Sequence, residues 1–344
     1  MAKSYNNLYD SIVNYTNLDI SLDKVLRGRR GNYEHSSFDL RREFNLGNLL
    51  NDLESNSWAP GEPRKFRIFT TKQRDIQAPQ FKDRIVHHSL NNIVEEMFTK
   101  KFIHHSYACI KGKGAQDAVR AVQKMMRSYD TKYSNAYVVQ ADISKYFNNI
   151  NHDILIDIFS KTIKCKDTIR LYELIIRCNG YGFVPGFGLP VGSLTSQLSA
   201  NMYLNEVDQR MVNYHGFGRY VRYMDDIVIL CSNKNEAKEA NKILEEEIFK
   251  VGLTLNPKTE YFPIKRGIDY VGYRIYLTHI LPRKRIIKNL KLTLSDLTKQ
   301  YNNGFIDFEY IRPKLASALG YSKHCRSKNT INKMIHEFLY NLEL

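Results

Sequence analysis

Cysteine is scarce and scattered. Cys109, Cys165, Cys178, Cys231 and Cys325 are odd in number, and no two share a Cys-x-x-Cys spacing. That pattern argues against a disulfide framework and against a thiolate zinc site, and it fits a reducing cytoplasm. Long apolar runs are missing too. None reaches the roughly 18 residues that a membrane-spanning helix needs. The leading Met-Ala-Lys-Ser-Tyr-Asn-Asn has no apolar core of the secretory kind. No internal repeat or low-complexity tract is present. The glycines of Lys111-Gly-Lys-Gly114 lack the Gly-Lys-Ser/Thr ending of a P-loop. Acidic residues are outnumbered, 36 against 51 basic, for a formal net charge of +15. This excess favours a polyanionic partner, through phosphate neutralisation and counterion release.

What is present describes a folded chain. Its 344 residues are 43% hydrophobic, enough for two or three subdomains around a sizeable core. Twenty-three Tyr and 17 Phe supply stacking surfaces, although most must be core.

The chemistry centres on Arg222-Tyr-Met-Asp-Asp-Ile-Val-Ile-Leu230. Apolar, β-favouring residues flank two adjacent carboxylates. The pattern predicts a hairpin in which Met224-Asp225-Asp226 make the turn and Ile227 to Leu230 leave as a buried strand. Asp at a turn tip is also common in plain solvated turns. A second acidic strand favours the chemical reading. Tyr137 to Ala141 is largely apolar and ends at Asp142, and a helix opens just beyond, capped by Asn151 or Asp153. Carboxylate oxygens suit hard divalent cations. Three of them on two neighbouring strand ends can hold two Mg²⁺ ions roughly 4 Å apart for an in-line phosphoryl transfer.

Tyr223-Met-Asp-Asp226, with Asp142-Ile-Ser-Lys-Tyr-Phe147 upstream, resembles a reverse transcriptase. Gly188-Leu-Pro-Val-Gly192-Ser-Leu-Thr-Ser-Gln197 lies between them, as the family's Gly-x-Pro-x-Gly segment does. Gly252-Leu-Thr-Leu-Asn-Pro-Lys258-Thr259 and Tyr270-Val-Gly-Tyr273 resemble the later palm motifs and the primer grip. Order and spacing agree over residues 60–285. Gly192 to Gln197 and Arg27-Gly-Arg-Arg30 look most like the enzymes of diversity-generating retroelements.

The resemblance implies an α+β right-hand polymerase, with an RRM-like antiparallel palm sheet and a helical thumb. It divides the chain into a helical lead-in (1–58), fingers (59–135), a first palm part (136–155), a helical insertion (156–187), the palm proper (188–281) and a thumb (282–344). It implies RNA-directed DNA synthesis in the cytoplasm of a bacterium or from a phage. Asp142, Asp225 and Asp226 would hold two Mg²⁺, or Mn²⁺ in their place, with the Ile143 backbone as a further oxygen. Lys258 would protonate the leaving pyrophosphate, or stand as a surface Lys in a turn. Phe147, five residues after Asp142, would be the steric gate against the ribose 2′ position. Arg74, with Lys72 or Arg67, would meet the triphosphate from the tip of a hairpin built from 64–69 and 75–78. Val191 stands where many relatives have Gln, which implies errors opposite template adenines. Ser193, Thr195, Ser196 and Gln197 would offer polar groups to template or nucleotide.

Lys111 and Lys113 would lie by the template. Tyr273 would hold the primer end, and Arg283, Lys284 and Arg285 would follow the duplex backbone. Arg27 to Arg30 could touch RNA phosphates or form a solvated loop. His87 and His88, on a helix over 83–98, are expected to pack or hydrogen-bond rather than bind metal. Expected partners are template RNA, the RNA/DNA heteroduplex, dNTPs and a small basic accessory variability protein, with no membrane. No segment is expected to supply an RNase H, maturase or endonuclease domain. A retron, intron-like or antiphage-defence enzyme is the near alternative. A catalytically silent nucleic-acid scaffold is the far one.

Overall fold

The computed structural model describes residues 4–27, 33–69, 73–178 and 184–342, with backbone alone at Gln73 and Arg74. Expectations placed on Gly28 to Arg30, on Lys72, on the Arg74 side chain and on Gly180 to Phe183 lie outside the described residues.

The lead-in breaks where its sequence offers caps. Its first helical stretch forms α1 (Tyr9–Ile12) and α2 (Tyr15–Leu26). Asn14 divides them, because its side chain accepts the Asn17 N–H at 2.9 Å and so starts a new helix. The next helical stretch divides likewise into α3 (Tyr33–Leu40) and α4 (Arg42–Glu54), with a break at Arg41. Leu46, Leu49 and Leu53 are buried, whereas Leu40 and Phe44 are exposed.

Strands β1 (Arg64–Phe69) and β2 (Gln73–Ala78) pair antiparallel, Arg64 opposite Ala78. Helix α5 (Phe81–Thr99) buries Ile85, Val86, Leu90 and Val94 at helical spacing. Helix α6 (Ala115–Lys132) does the same with Val119, Val122 and Met126. Strand β3 (Tyr137–Ala141) precedes three helices, α7 (Tyr146–Asn149), α8 (His152–Thr162) and α9 (Lys166–Ile176). Asn151, not Asp153, caps α8: its side chain accepts the N–H groups of Asp153 and Ile154. Helix α10 (Leu194–Gln209) runs on into a π-helical turn, Arg210–Tyr214. Next come β4 (Tyr220–Tyr223), β5 (Asp226–Cys231), α11 (Lys234–Lys250) and β6 (Glu260–Pro263). Three short strands follow, β7 (Ile268–Tyr270), β8 (Tyr273–Ile275) and β9 (Ile280–Pro282). Helices α12 (Lys284–Asn302), α13 (Phe308–Ser322) and α14 (Lys328–Tyr340) complete the chain.

These elements form two compact units. One comprises Met1–His104, Ile143–Gly218 and Ile243–Asn256. It is mostly helical, with α5 packed on α2 and α10, and α8 on α10. The other comprises His105–Asp142, Arg219–Lys242 and Pro257–Leu344. It holds an antiparallel sheet ordered β4-β5-β3-β6 and a second one, β7-β8-β9. Helix α6 covers both through a core of Val119, Val122, Val138, Val228 and Ile268. Helices α12 to α14 have a core of their own, in which Leu294, Leu297, Ile311, Ile331 and Phe338 meet. Among the described residues no helix is long and apolar enough to cross a membrane.

Candidate active site

Strand register brings the acids together. Ala141 pairs with Ile227, so Asp142 comes level with Asp226, which itself pairs with Tyr223 across the hairpin. Opposed residues of antiparallel strands lie about 5 Å apart at Cα, within reach of a shared ligand. The turn is tighter than expected. Met224 and Asp225 make it alone, and Asp226 belongs to β5. Met224 takes φ +55°, a left-handed conformation that is uncommon outside glycine. Such strain persists only where its surroundings hold it.

Arg222 does part of that holding. It is fully buried, and its Nη1 donates to the Met224 carbonyl at 3.0 Å. Its own N–H donates to the His105 carbonyl at 2.9 Å, and its carbonyl accepts the Tyr107 N–H at 3.1 Å. The 105–107 segment thereby lies parallel along the edge of β4. Sequence reasoning passed over Arg222. The available signal was a lone guanidinium inside a run of otherwise buried strand residues.

The carboxylates couple electrostatically. Burial pushes the Asp226 carboxyl up to about 7, and the charges of Asp225 and Asp142 push the same way. Arg283 opposes them, while Asp269 adds to them. Among the described residues, no three His, Cys, Asp or Glu side chains are placed together so as to hold a metal ion. The half-buried acids are nevertheless close enough for their like charges to couple, and an all-oxygen set of this kind suits a hard divalent cation. Ile143, whose backbone was expected to help, is buried and bridges Leu255 in its own unit.

Near Asp226, the Tyr270 hydroxyl is buried with no hydrogen-bond partner among the described residues, and burial holds its pKa far above the usual value. Arg283 turns inward, its Nε donating to Asp269 Oδ1. Its charge opposes the rise of the Asp226 pKa, a coupling not read from sequence, and Lys284 and Arg285 are exposed beside it. Tyr273, expected to hold the primer end, is buried with its ring stacked on Tyr321, 5.0 Å between centroids. Lys113 donates to the Ser106 carbonyl at 3.2 Å and lies over the Tyr107 ring, and burial lowers its pKa. Lys111 and Lys258 are exposed.

The helical unit carries the residues expected around the nucleotide. Phe147 is half-buried, edge-on to Tyr146 at 5.6 Å, and its carbonyl accepts the Leu189 N–H at 2.8 Å. Gly188 and Gly192, at φ +90° and +105°, fold the segment around half-buried Val191. Ser193, Thr195 and Ser196 are buried, and so are not offered to a ligand as expected. Ser193 Oγ and Thr195 Oγ1 each meet His87 Nδ1 at 3.0 Å. Helix α10 starts against α5, and burial there turns hydroxyls into internal partners. Gln197 stays half-buried. His87 is a hydrogen-bonding core residue, its pKa lowered to about 3 chiefly by burial. Arg67 Nε pairs with Asp75 Oδ1 at 2.7 Å across the β1–β2 hairpin.

Residues 62–275 match the family model described as reverse transcriptase (RNA-dependent DNA polymerase). The chain belongs to the reverse transcriptase family. It is similar to a COX1/OXI3 intron 1 protein of Saccharomyces cerevisiae, 23% identical over 72% of this chain and 36% of that one. The reverse transcriptase of retron Ec73 from Escherichia coli is 25% identical over 70% of this chain and 78% of its own. This reverse transcriptase thus spans little more than a third of the yeast relative's length. In fold it is similar to telomerase from Candida albicans, solved with a fragment of telomeric RNA. The TM-score is 0.51 at 11% identity, covering 93% of this chain and 76% of that chain. The fold is that of the right-hand polymerases, mixed α/β with antiparallel sheets.

Proposed function

We propose that this chain is an RNA-directed DNA polymerase that makes cDNA from a retroelement template RNA. The observation that carries the reading is the strand register that levels Asp142 with Asp226, coupled to Asp225 at the turn. Two Mg²⁺ held by these carboxylates would supply activation of a primer 3′-hydroxyl and charge neutralisation at the leaving pyrophosphate. The protein's own residues do the positioning. Arg222 and Arg283 fix the turn and the field around it. Phe147 would lie against the sugar, Arg74 with Lys72 or Arg67 would meet the triphosphate, and Lys258 would serve the leaving group. Lys111, Lys113, Lys284 and Arg285 neutralise phosphates of template and primer. The six-part division into lead-in, fingers, palm segments and thumb belongs to this proposal.

The finer reading is mutagenic copying in a diversity-generating retroelement, with an accessory variability protein as partner. Val191 supports it, since an aliphatic side chain cannot hydrogen-bond where Gln would. Primer extension on a defined RNA template with Mg²⁺ and four dNTPs tests both levels, beside an Asp225→Asn control. Extension lost in the control, with errors concentrated at template adenines, is the expected result. Accurate extension would favour a retron-type enzyme, a reading that the retron relative's coverage supports. No extension, even with native RNA, would overturn the polymerase.

A further inference from the structure

His152 stands at the first position of α8, buried, and none of the chemistry above uses it. Its Nε2 lies 2.8 Å from the Gly188 carbonyl oxygen. A carbonyl only accepts, so Nε2 carries the proton and donates. Among the described residues, Nδ1 is buried with no partner. A second proton there would bury an N–H without such an acceptor, and burial lowers the ring's pKa in the same direction.

The surrounding backbone forms a short ladder. The His152 N–H donates to the Gly186 carbonyl at 2.9 Å, and Asn151 bridges Phe187. The Gly188 N–H donates to the Ile150 carbonyl at 2.9 Å, and the Leu189 N–H to the Phe147 carbonyl at 2.8 Å. The turn bearing Phe147 is thus stitched to the 186–189 segment, and His152 adds a side-chain stitch at Gly188, a glycine at φ +90° whose backbone no Cβ restricts.

We infer that His152 is a positioning residue for sugar discrimination, holding the 186–189 segment so that Phe147 keeps its place against the ribose 2′ position. The inference rests on the reading of Phe147 as the steric gate. Loss of the Nε2 donor leaves the Gly188 carbonyl unpaired, and the segment that anchors the Phe147 backbone relaxes. A purely structural role would slow deoxyribonucleotide and ribonucleotide incorporation alike. A positioning role changes their ratio.

The test is single-nucleotide incorporation by the full chain, comparing kcat/KM for dCTP and CTP opposite template guanine. His152→Leu should lower the preference for dCTP about tenfold, the factor that goes with about 1.4 kcal/mol. His152→Gln, which keeps a donor at the Nε2 position, should restore most of it. His152→Asn, too short to reach Gly188, should fail as Leu does, and it carries the expectation if the Leu variant does not fold. Phe147→Val should relax the preference on its own, and adding His152→Leu should relax it little further, because both act through one ring. An unchanged ratio in Phe147→Val would overturn the gate reading and this inference together. A relaxed ratio in Phe147→Val with an unchanged one in His152→Leu and His152→Asn would overturn the inference alone.

Discussion

His87 sits in the core between α5 and the start of α10, where Ser193 and Thr195 reach it. Its imidazole is neutral and buried, with two hydroxyls converging on Nδ1. The folded pKa, about 3, lies far below the ordinary histidine value of about 6.5. The unfolded chain therefore takes up a proton first. The contribution of neutral His87 is complete above about pH 6.5 and is lost as pH falls toward the folded value. Between about pH 7.5 and about pH 5.5 the fold should lose about 1.4 kcal/mol on this account. Urea midpoints of the native protein and a His87→Gln variant across that range check it, since every other titration is shared. Parallel curves for the two proteins would remove His87 as the cause. The candidate catalytic acids were legible as residues because Asp142, Asp225 and Asp226 each interrupt or end an apolar run. Arg222, Asp269 and His152 were not, because a buried polar residue is recognised by its partner, and the partners lie in other segments.

At the scale of elements, the short strands depend on backbone geometry that one residue type permits. Gly267, just before β7, takes φ +80° and ψ 149°, a region that is essentially glycine's own. A Cβ there would stand 2.7 Å from the Tyr276 ring and 3.1 Å from the Ile275 carbonyl oxygen. The ring could swing away, but the carbonyl is held in the β7–β8 pairing. Gly267→Ala is expected to cost about 1–3 kcal/mol in urea unfolding. Trimming Tyr276 to Ala in the same chain should recover only part of that. A change under about 0.5 kcal/mol would mean that the β7–β8 hairpin absorbs the strain. Helices were legible in kind and blurred at their ends. The lead-in was read only as helical, and its described residues form four short helices, because Asn14 caps a new helix and the chain breaks at Arg41.

Across the whole molecule the dominant feature is charge. A formal net charge of +15 predicts nucleic-acid binding that weakens steeply with salt. Part of that charge is arrayed along α12, where Lys284, Lys288 and Lys291 fall on one side of a groove of about 490 Å³ that also includes Arg326 and Met334. Replacing the three lysines with Gln should weaken heteroduplex binding on every sequence alike. It should also flatten the plot of log affinity against log salt by about 0.9 for each phosphate that is no longer neutralised. Fluorescence anisotropy across a salt series measures both. An unchanged slope would move the duplex to another surface.

The sequence by itself determined the family, the α+β class, the three catalytic candidates and the existence of most helices and strands. These follow from local periodicity, turn chemistry and an ordered set of motifs, all of which are properties of neighbouring residues. Only the tertiary structure decided that Asp226 belongs to its strand rather than its turn, and that Ser193 and Thr195 face His87. It alone decided that Arg283 faces Asp269, and that Tyr273 packs its ring inward. Each of those outcomes is a choice between water and a buried partner, and the free energy of that choice depends on which distant segment folds against the residue.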